Sequence, residues 1–547
     1  MSKSIDKNLK TIGEYLFKNG QISTRLKDQI FLTEAKSGKQ LKYGQLEDQS
    51  HSLAIAMLRE FDFQSNDICA IMSESCIEYT IIINACLLLN VPYTSVAPVI
   101  GPFFIGERLD QTKSKCLFIS NEYYFKLEQM YRQSKWQHLR DYVKIVVINY
   151  DQTFDDDKQY NSTTIKFDEL ISKFKNEKIS TIPYYGNNES SIDDLVTIIF
   201  TSGSTGRPKG ACHTHRTLLT NVIEMKSVET LAKYSHQTML LTFPLGHVSG
   251  NCLLFVALIS QTPIVLLNYN EMDRIFDVIE KYRCVQVFGS ANIVNLLAKS
   301  DLTSHRDISS VKMVLTAGCK LSTSTAEILA KKHGIQILDA YGCTECLYIS
   351  IGVSSQNVGK PLPSFQLKLI DNLTKNELTN SSSEQLGEIS IRGTSRFREY
   401  YGRPDETKKA IDNDGWFHTG DVGFIDNNGC LHITDRIKEI IKYKGWSVFP
   451  AEIELFLMTH DDVIGVVVVG VKHNEYNEIP RAYVTVKSES SITVEQLQQY
   501  VNDNLGYHQR LIGGLLIVDQ LHYNQMGKID RRFYKDLCAN EILDNND

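Results

Sequence analysis

The chain contains 547 residues, of which 42% are hydrophobic and 22% are charged, and its formal net charge is −7. This length exceeds the size at which a single hydrophobic core keeps growing, so we expect two or more domains. The composition is ordinary for a soluble globular enzyme, and the acidic total argues against a general nucleic-acid-binding protein, which usually presents a basic face.

Strands and helices are predicted to alternate through the first part of the chain. Apolar residues recur at helical spacing at Leu46, Leu53 and Met57, which predicts a helix over residues 42–61. A second helix is predicted over residues 77–89. Short apolar runs predict strands at residues 67–72, 115–120, 143–148, 195–200, 239–243, 262–267, 285–288 and 311–316. Such alternation is typical of parallel sheets covered by helices on both faces.

From about residue 352 the pattern changes to short strands separated by turns. These strands are predicted at residues 365–371, 387–392, 421–425 and 430–434. The sequence Asp-Asn-Asn-Gly at residues 426–429 is a strong hairpin signal, because Asn and Gly tolerate positive φ. We therefore expect a smaller β subdomain here. Beyond residue 435 the chain has α+β character, with helices predicted at residues 451–458 and 494–505.

Residues 201–210 form a loop of unusual composition, T-S-G-S-T-G-R-P-K-G, directly after a predicted strand. Its glycines let backbone N–H groups approach a ligand, its hydroxyl side chains add neutral donors, and Lys209 adds a positive charge. Such a loop suits a polyphosphate. It is not a Walker A loop, because Gly210 and not Ser or Thr follows Lys209. A flexible surface loop of Gly and Ser is the alternative.

Five further segments follow this loop. They read P-L-G-H-V-S-G (244–250), Y-G-C-T-E (341–345), G-W-F-H-T-G-D (415–421), D-R-I-K-E-I-I-K-Y-K-G-W-S-V-F-P-A-E-I-E (435–454) and M-G-K-I-D-R-R (526–532). Together with the loop, they resemble the motifs of the adenylate-forming (AMP-binding) superfamily. The resemblance spans nearly the whole chain and is closest to acyl- and aryl-CoA ligases, in particular hydroxycinnamate–CoA ligases and luciferases.

The resemblance implies an α/β fold with a large N-terminal domain of two doubly wound sheets plus a small β subdomain, followed by a mobile α+β C-terminal domain. We place the N-terminal domain, with the acid and ATP site, at residues 1–434. The C-terminal domain is placed at residues 435–547, with a hinge near residues 435–438. Members of the superfamily carry out two half-reactions in one active site by rotating the C-terminal domain.

The resemblance also assigns residues to the phosphates of ATP and to Mg²⁺. The phosphate-binding residues are Thr201, Ser202, Gly203, Ser204, Thr205, Gly206 and Lys209. Glu345 and Thr205 are assigned to Mg²⁺, a hard cation that prefers one or two carboxylates together with phosphate oxygens. Thr344 is assigned to the α-phosphate. A solvated surface carboxylate would be the better interpretation of Glu345 if it stood alone, without the surrounding motif.

The nucleoside half of ATP is assigned to a second group of residues. By resemblance Tyr341 stacks on adenine and Asp421 binds the ribose hydroxyls, although a turn-capping aspartate is the alternative for Asp421. The remaining residues that the resemblance assigns to the nucleotide are Gly318, Asp339, Gly342 and Arg436.

Four residues of the C-terminal domain are assigned to the two half-reactions. Lys528 matches the lysine that bridges the carboxylate and the α-phosphate during adenylation, although the proline usual upstream of that motif is missing. Lys438 stands at the hinge position. Lys442 and Gly445 are expected to reach the active site for thioester formation. Lysine-rich segments are usually solvated surfaces, so these assignments rest on the surrounding match.

The acid pocket is expected beside His247, where the superfamily carries an aromatic residue or histidine. The other expected wall residues are Ser249, Asn292, Gly318, Tyr341, Leu347 and Val353. Residues 243–255 contain no acidic side chain. This argues against an amino acid substrate, by comparison with the members that pair an aspartate with the substrate ammonium group. The walls permit a fatty or an aryl acid and do not choose between them.

The leading hypothesis is an ATP-dependent acid–CoA ligase that uses ATP, Mg²⁺ and CoA. One alternative is a ligase that loads a carrier-protein phosphopantetheine. Others are an oxygen-dependent luciferase-like enzyme and a non-enzymatic nucleotide-binding protein, although the latter would be expected to lose one of the four residues Lys209, Glu345, Asp421 and Lys528.

Targeting signals are absent from the sequence as given. The first ten residues lack the apolar core of a secretory signal, and residues 81–91, the most apolar stretch, are too short to span a bilayer. The peroxisomal address S-K-L is also missing. A cytoplasmic location is the expectation, with peripheral membrane contact left open.

Overall fold

In the computed structural model of this protein, the described residues are 11–18, 26–149, 164–177, 190–201, 208–290, 293–294, 296–297, 306–318, 323–353, 357–371, 374, 376–378, 385–436, 441–444, 446–448, 450–522 and 531–544. The α-helices in these ranges are Tyr43–Phe61, Ile77–Leu89, Pro102–Thr112, Tyr124–Arg132, Leu139–Tyr142, Phe167–Phe174, His215–Lys226, Glu229–Lys233, Val248–Ser260, Ile275–Tyr282, Thr323–His333, Pro404–Ala410, Pro450–Leu457, Val494–Asn504 and Arg531–Asp544. The helices predicted over residues 42–61, 77–89, 451–458 and 494–505 are confirmed to within one residue at each end.

A seven-stranded sheet forms one layer of the N-terminal part. In sheet order its strands are Ile165–Lys166, Lys144–Ile148, Cys116–Ser120, Cys69–Met72, Tyr93–Ser95, Leu195–Thr201 and Lys209–Thr214. Neighbouring strands run parallel except for the last pair, Leu195–Thr201 with Lys209–Thr214, which is antiparallel and encloses the glycine-rich loop. This antiparallel partner has no counterpart among the predicted strands.

An eight-stranded sheet forms the second layer. In sheet order its strands are Leu347–Gly352, Gln336–Cys343, Met313–Ala317, Gln286–Gly289, Met239–Leu241, Ile264–Leu266, Ile30–Glu34 and Gln40–Lys42. The inner pairs are parallel, and the pairs at the two edges are antiparallel. The predicted architecture of two largely parallel sheets is therefore confirmed.

The largest hydrophobic core includes side chains from one face of each of the two sheets. Successive residues of a strand face opposite sides, so Ile71 packs in this core while its neighbour Ala70 packs in a second one. The helices Ile77–Leu89 and Val248–Ser260 are buried along nearly their whole length. Burial on all sides explains why these two helices are apolar around their full circumference. Within the described part of the chain, no helix is long and apolar enough to cross a membrane.

The predicted β subdomain is a four-stranded antiparallel sheet. Its strands are Phe365–Ile370, Gly387–Gly393, Phe417–Ile425 and Leu431–Arg436. The hairpin predicted at residues 426–429 joins the last two strands, and Gly429 adopts the positive φ of 77° that the turn requires.

The C-terminal part contains a separate sheet. Its strands are Trp446–Val448, Ile441–Tyr443, Asn477–Val486, Val463–His473 and, parallel to Asn477–Val486, Leu515–Ile517. The predicted boundary at residue 435 falls within the strand Leu431–Arg436, which still pairs with the β subdomain. Residues 437 and 438 of the predicted hinge lie outside the described residues, so the domain boundary stays a prediction.

Candidate functional site

Lys209 lies at the base of the glycine-rich loop, directly opposite Thr201 in the antiparallel strand pair. Its ammonium nitrogen is 2.8 Å from a carboxylate oxygen of Glu406 and 4.9 Å from the centre of the Tyr400 ring. Hydrogen bonds from Lys209 and Lys409 lower the pKa of Glu406 to about 2. The Lys209 ammonium group is therefore held in place where the chain leaves the loop. The predicted loop residues Ser202, Gly203, Ser204, Thr205 and Gly206 lie outside the described residues.

Glu345 is held by the same tyrosine that faces Lys209. The Tyr400 hydroxyl donates a hydrogen bond of 2.6 Å to Oε1 of Glu345. In the preceding residue, the Thr344 carbonyl accepts a hydrogen bond of 2.7 Å from Nε2 of the buried His213. Within the described ranges no group of three or more His, Cys, Asp or Glu side chains could hold a metal ion. A single carboxylate such as Glu345 fits Mg²⁺, which takes its other ligands from water and phosphate.

The segment 397–401 brings Tyr400 to this position. It runs beside the strand Lys209–Thr214, and its backbone is hydrogen-bonded to Gly210 and Cys212. The N–H of Phe397 also donates to the carbonyl of Glu345, at 2.6 Å. Tyr400 and Glu406 are absent from the sequence-based assignment, because no local pattern connects these residues to a loop two hundred positions earlier.

Tyr341 and Asp421 meet in the interior although they lie in different sheets. The Tyr341 hydroxyl donates a hydrogen bond of 2.7 Å to Oδ2 of Asp421, and both residues are buried. The Asp421 N–H donates to the Thr419 hydroxyl oxygen, which fixes the turn before the carboxylate. Asp421 is also paired in strand register with Arg436. The structure thus brings the predicted adenine and ribose residues together.

Gly318 and Gly342 lie at the carboxyl ends of neighbouring parallel strands, and Asp339 lies in the middle of the second strand, Gln336–Cys343. Gly318 follows the strand Met313–Ala317 with a φ of 87°, a conformation that favours glycine. At Gly342 space is the constraint, because a Cβ atom would overlap the carbonyl oxygen of Leu347. Burial raises the pKa of Asp339 to about 7. Carboxyl ends of parallel strands are where α/β sheets bind ligands.

His247 caps the N-terminus of the helix Val248–Ser260. Its Nδ1 accepts a hydrogen bond of 3.2 Å from the Ser249 N–H. The side chain is exposed to solvent, yet desolvation by the surrounding protein and the charge of Lys442 lower its pKa to about 4. His247 is therefore a neutral imidazole at physiological pH.

Lys442 lies in the strand Ile441–Tyr443 of the C-terminal sheet, and its charge contributes to the lowered pKa of His247. Its backbone N–H donates to a carboxylate oxygen of Glu478 at 2.8 Å, which fixes this strand. Among the described residues, Lys442 is thus the predicted C-terminal lysine whose charge acts on the predicted acid pocket. The other predicted C-terminal residues, Lys438, Gly445 and Lys528, lie outside the described residues.

The expected wall of the acid pocket is only partly reproduced. Leu347 is buried, whereas Val353 is 56% exposed, and Asn292 lies outside the described residues. Tyr348, the next residue of the same strand, is also buried. Burial raises the pKa of its phenol, and the Ser249 hydroxyl acts in the opposite direction.

Comparison with known families covers most of the chain. The family described as AMP-binding enzyme matches residues 21–401, and the family described as AMP-binding enzyme C-terminal domain matches residues 452–528. The chain is 28% identical over 527 residues to a probable 4-coumarate–CoA ligase of Dictyostelium discoideum, covering 93% of this chain and 92% of that protein. It is 31% identical over 411 residues to a 4-coumarate–CoA ligase of Vanilla planifolia, covering 73% and 71%.

Solved structures with the same fold include two that align over almost their full length. The o-succinylbenzoate CoA synthetase of Bacillus subtilis is 22% identical, with a TM-score of 0.76 over 94% of this chain and 98% of that one. The amide bond synthetase McbA of Marinactinospora thermotolerans is also 22% identical, with a TM-score of 0.76 over 95% and 99%. These similarities establish the predicted fold class.

Proposed function

Because this chain belongs to the AMP-binding enzyme family, we propose that it is an ATP-dependent acid–CoA ligase. It activates a carboxylic acid as an acyl-adenylate with release of pyrophosphate, and it then transfers the acyl group to the thiol of CoA. The observation that carries this proposal is the connection from Lys209 through Tyr400 to Glu345. Through this connection, the side chain of Tyr400 contacts both the Lys209 ammonium and the Glu345 carboxylate beside the glycine-rich loop.

In the first half-reaction the substrate carboxylate attacks the α-phosphate, and negative charge moves toward the leaving pyrophosphate. Preorganised positive charge is the main protein contribution to such a step. Lys209 supplies that charge, and it can turn from Glu406 to the phosphates because Glu406 keeps a second partner, Lys409, at 2.9 Å. Mg²⁺, when bound by Glu345 and Thr205, supplies further neutralisation of the phosphate oxygens.

The nucleoside is held at the interior pair. The hydrogen bond from Tyr341 orients the Asp421 carboxylate before the nucleotide arrives. A buried, oriented carboxylate is a strong acceptor for two ribose hydroxyls, because hydrogen bonds to charged groups are stronger than neutral ones. Tyr341 supplies the aromatic face for adenine at the same position, and Gly318 leaves the neighbouring backbone open to the ring.

In this proposal each half-reaction uses a different lysine of the C-terminal domain. Lys528 bridges the carboxylate and the α-phosphate during adenylation. The charge of Lys442 acts on His247 in this structure, which suits a role in the thioester step that follows. Rotation about the hinge at Lys438 exchanges the two lysines, and Gly445 reaches the site together with Lys442.

The acid is proposed to be a fatty or aryl carboxylic acid. His247 is neutral and the pocket walls Ser249, Leu347 and Tyr348 combine apolar surface with hydroxyl groups. No acidic side chain lies in residues 243–255 to bind a substrate ammonium group. The names of the relatives make 4-coumarate the first acid to test, and a saturated fatty acid series the second.

The test is a panel of these acids with ATP and Mg²⁺, scored for pyrophosphate and AMP release with and without CoA. We expect acid-dependent pyrophosphate release in both conditions and sustained AMP release only with CoA. Release of acyl groups only to phosphopantetheinylated carrier protein would favour the carrier-loading alternative. Light emission with luciferin and oxygen would favour the luciferase-like alternative. Absence of acid-dependent pyrophosphate release across the panel would refute the proposal.

A cytoplasmic site of action is proposed on the sequence expectation alone. Fractionation of cells that produce the full chain tests it, and recovery in the membrane fraction at low salt would indicate peripheral membrane contact instead.

A further inference from the structure

Two glycines lie where the N-terminal and C-terminal parts of the chain touch through their backbones. A Cβ atom on Gly101 would overlap the carbonyl oxygen of Asn504, and a Cβ atom on Gly506 would overlap the carbonyl oxygen of Val99. We call this reciprocal contact, formed by residues 99–101 and 504–506, the glycine seam. The atoms that obstruct a side chain are backbone atoms on both sides, so they cannot move aside as a flexible side chain would.

Glycine is required at both positions because there is no space for a Cβ atom, and not because of the backbone conformation. Gly101 has φ −81° and Gly506 has φ −69°, values that any residue adopts. Each glycine is also the N-cap of a helix, a position that accepts Ser, Thr, Asp and Asn as readily as glycine. The absence of a side chain at both positions therefore serves the close approach of the two parts.

The surroundings of the glycine seam hold it in a fixed position. The Lys126 ammonium donates hydrogen bonds to the carbonyls of Pro98 and Ile100, at 2.5 and 3.3 Å, and so fixes one side of the seam. Next to it, the rings of Phe103 and Phe456 pack edge to face with centroids 5.8 Å apart. Side chains of both parts thus share one hydrophobic core.

Two buried ionisable groups, Glu452 and Arg108, also interact across the two parts. The Glu452 carboxyl group is buried and accepts a hydrogen bond of 2.6 Å from the buried Gln509 side chain, two residues beyond Tyr507. Burial raises the pKa of Glu452 to about 7, and the Arg108 guanidinium, which lies 4.0 Å from the centre of the Phe200 ring, acts in the opposite direction. Phe200 directly precedes Thr201 at the glycine-rich loop. Separation of the two parts would leave Glu452 without this counter-charge.

In the same arrangement of the two parts, the charge of Lys442 acts on His247 at the predicted acid pocket. Resting on the function proposed above, we propose that Gly101 and Gly506 are positioning residues for the thioester half-reaction. They allow the C-terminal domain to seat on the N-terminal domain with Lys442 at the acid pocket. A side chain at either position would prevent seating, whereas adenylation, which uses the domain in another orientation, would continue.

The experiment compares Gly101→Ala and Gly506→Ala with the wild-type enzyme and with Asn504→Ala. The last variant is the matched control, because Gly101 approaches the backbone oxygen of Asn504 and not its side chain. Acid-dependent pyrophosphate exchange reports adenylation, and acyl-CoA formation from preformed acyl-adenylate reports the thioester step. We expect each glycine variant to lose about tenfold or more of the thioester rate, since overpacking against a rigid backbone is costly, with pyrophosphate exchange and Asn504→Ala near wild type.

Hydrogen–deuterium exchange gives a second readout that does not depend on activity. In the glycine variants we expect faster exchange in residues 99–109 and 504–511, with unchanged exchange in the eight-stranded sheet. Three results in the glycine variants would overturn the inference. They are a thioester rate equal to that of the wild type, a parallel loss of both half-reactions, and unchanged protection of the two segments from exchange. If the wild-type chain shows no acid-dependent exchange, the proposed function fails, and the deuterium readout still decides whether the two glycines seat the domain.

Discussion

Tyr400 joins two predicted functional residues through different parts of one side chain. Its hydroxyl binds Glu345 and its ring faces the Lys209 ammonium. Tyr400→Phe removes only the first contact. Because a hydrogen bond to a charged group contributes about 1.5–3 kcal/mol, we expect about tenfold slower adenylation at limiting Mg²⁺. The measurement is pyrophosphate exchange as a function of Mg²⁺ concentration.

Tyr401→Phe is the matched control for this prediction, because Tyr401 is the adjacent tyrosine and its side chain packs against a separate small core of Ile68, Ile198 and Cys212. It is expected to leave the Mg²⁺ dependence unchanged. An unchanged Mg²⁺ dependence in Tyr400→Phe would mean that Tyr400 does not orient the metal-binding carboxylate.

Asp421 is expected to contribute to nucleotide affinity more than to turnover. Asp421→Ala removes the proposed ribose acceptor, so we expect the Kd for ATP to rise about tenfold or more. Tyr341→Phe keeps the aromatic face and removes only the hydrogen bond that orients Asp421, so a smaller rise is expected. Calorimetric titration with ATP measures both. An unchanged Kd in Asp421→Ala would identify Asp421 as a turn residue only.

His213 links the pH dependence of stability to the active site. Burial lowers its pKa to about 4, while the unfolded value is about 6.5. Between these values the unfolded chain binds a proton that the folded chain does not, so this contribution to stability falls as the pH falls, by about 1.4 kcal/mol per pH unit. His213→Gln keeps an N–H donor for the Thr344 carbonyl and removes the titration.

Urea unfolding at several pH values between about 4 and 7 measures this effect. The free energy of unfolding of the wild-type chain is expected to fall more steeply toward acid pH than that of His213→Gln. Equal slopes in the two proteins would show that His213 is protonated in the folded state and that its burial has no such consequence.

At the scale of residues, short motifs predicted Lys209, Glu345, Tyr341 and Asp421, because each lies in a segment with a distinctive local composition. Tyr400 could not be predicted in this way. It lies in a polar segment, and its role depends on the backbone pairing of residues 397–401 with the strand Lys209–Thr214. Contacts that are set by long-range pairing leave no local signal.

At the scale of elements, the segment between the β subdomain and the C-terminal sheet is expected to act as the hinge. Lys438→Pro fixes φ near −65° at a position that must adopt two backbone conformations. We predict near-normal pyrophosphate exchange and strongly reduced acyl-CoA formation from preformed acyl-adenylate. If neither rate falls, rotation about Lys438 is wrong for this protein, and if both fall together, the substitution has damaged the fold.

Hydrophobic periodicity predicted four of the fifteen helices and twelve of the twenty-four strands in the described part of the chain. The helix Tyr43–Phe61 and the buried helix Ile77–Leu89 occur where the sequence indicates. The strand Lys209–Thr214 was not predicted, because Lys-Gly-Ala-Cys-His-Thr has neither the apolar run nor the alternation of a strand. Its partner Leu195–Thr201 and the segment 397–401 supply the hydrogen bonds that hold it extended.

At the scale of the whole molecule, the contact between the two parts of the chain depends on features that no local pattern reveals. No role is predicted from the sequence for Gly101, Gly506 or Glu452. In the structure they meet at one interface with Arg108. The order of the motifs predicts that two domains exist. The backbone contact at the glycine seam limits how closely the two domains can approach each other.

The central claim is that the substrate carboxylate attacks the α-phosphate of ATP. It is tested most directly with an acid carrying ¹⁸O in both carboxylate oxygens, in a complete reaction with ATP, Mg²⁺ and CoA. Thioester formation from an acyl-adenylate breaks the bond between the acyl carbon and the bridging oxygen. The account predicts one ¹⁸O atom in each AMP released and none in inorganic phosphate. Label in inorganic phosphate with ADP as the nucleotide product, or AMP without label, would contradict it.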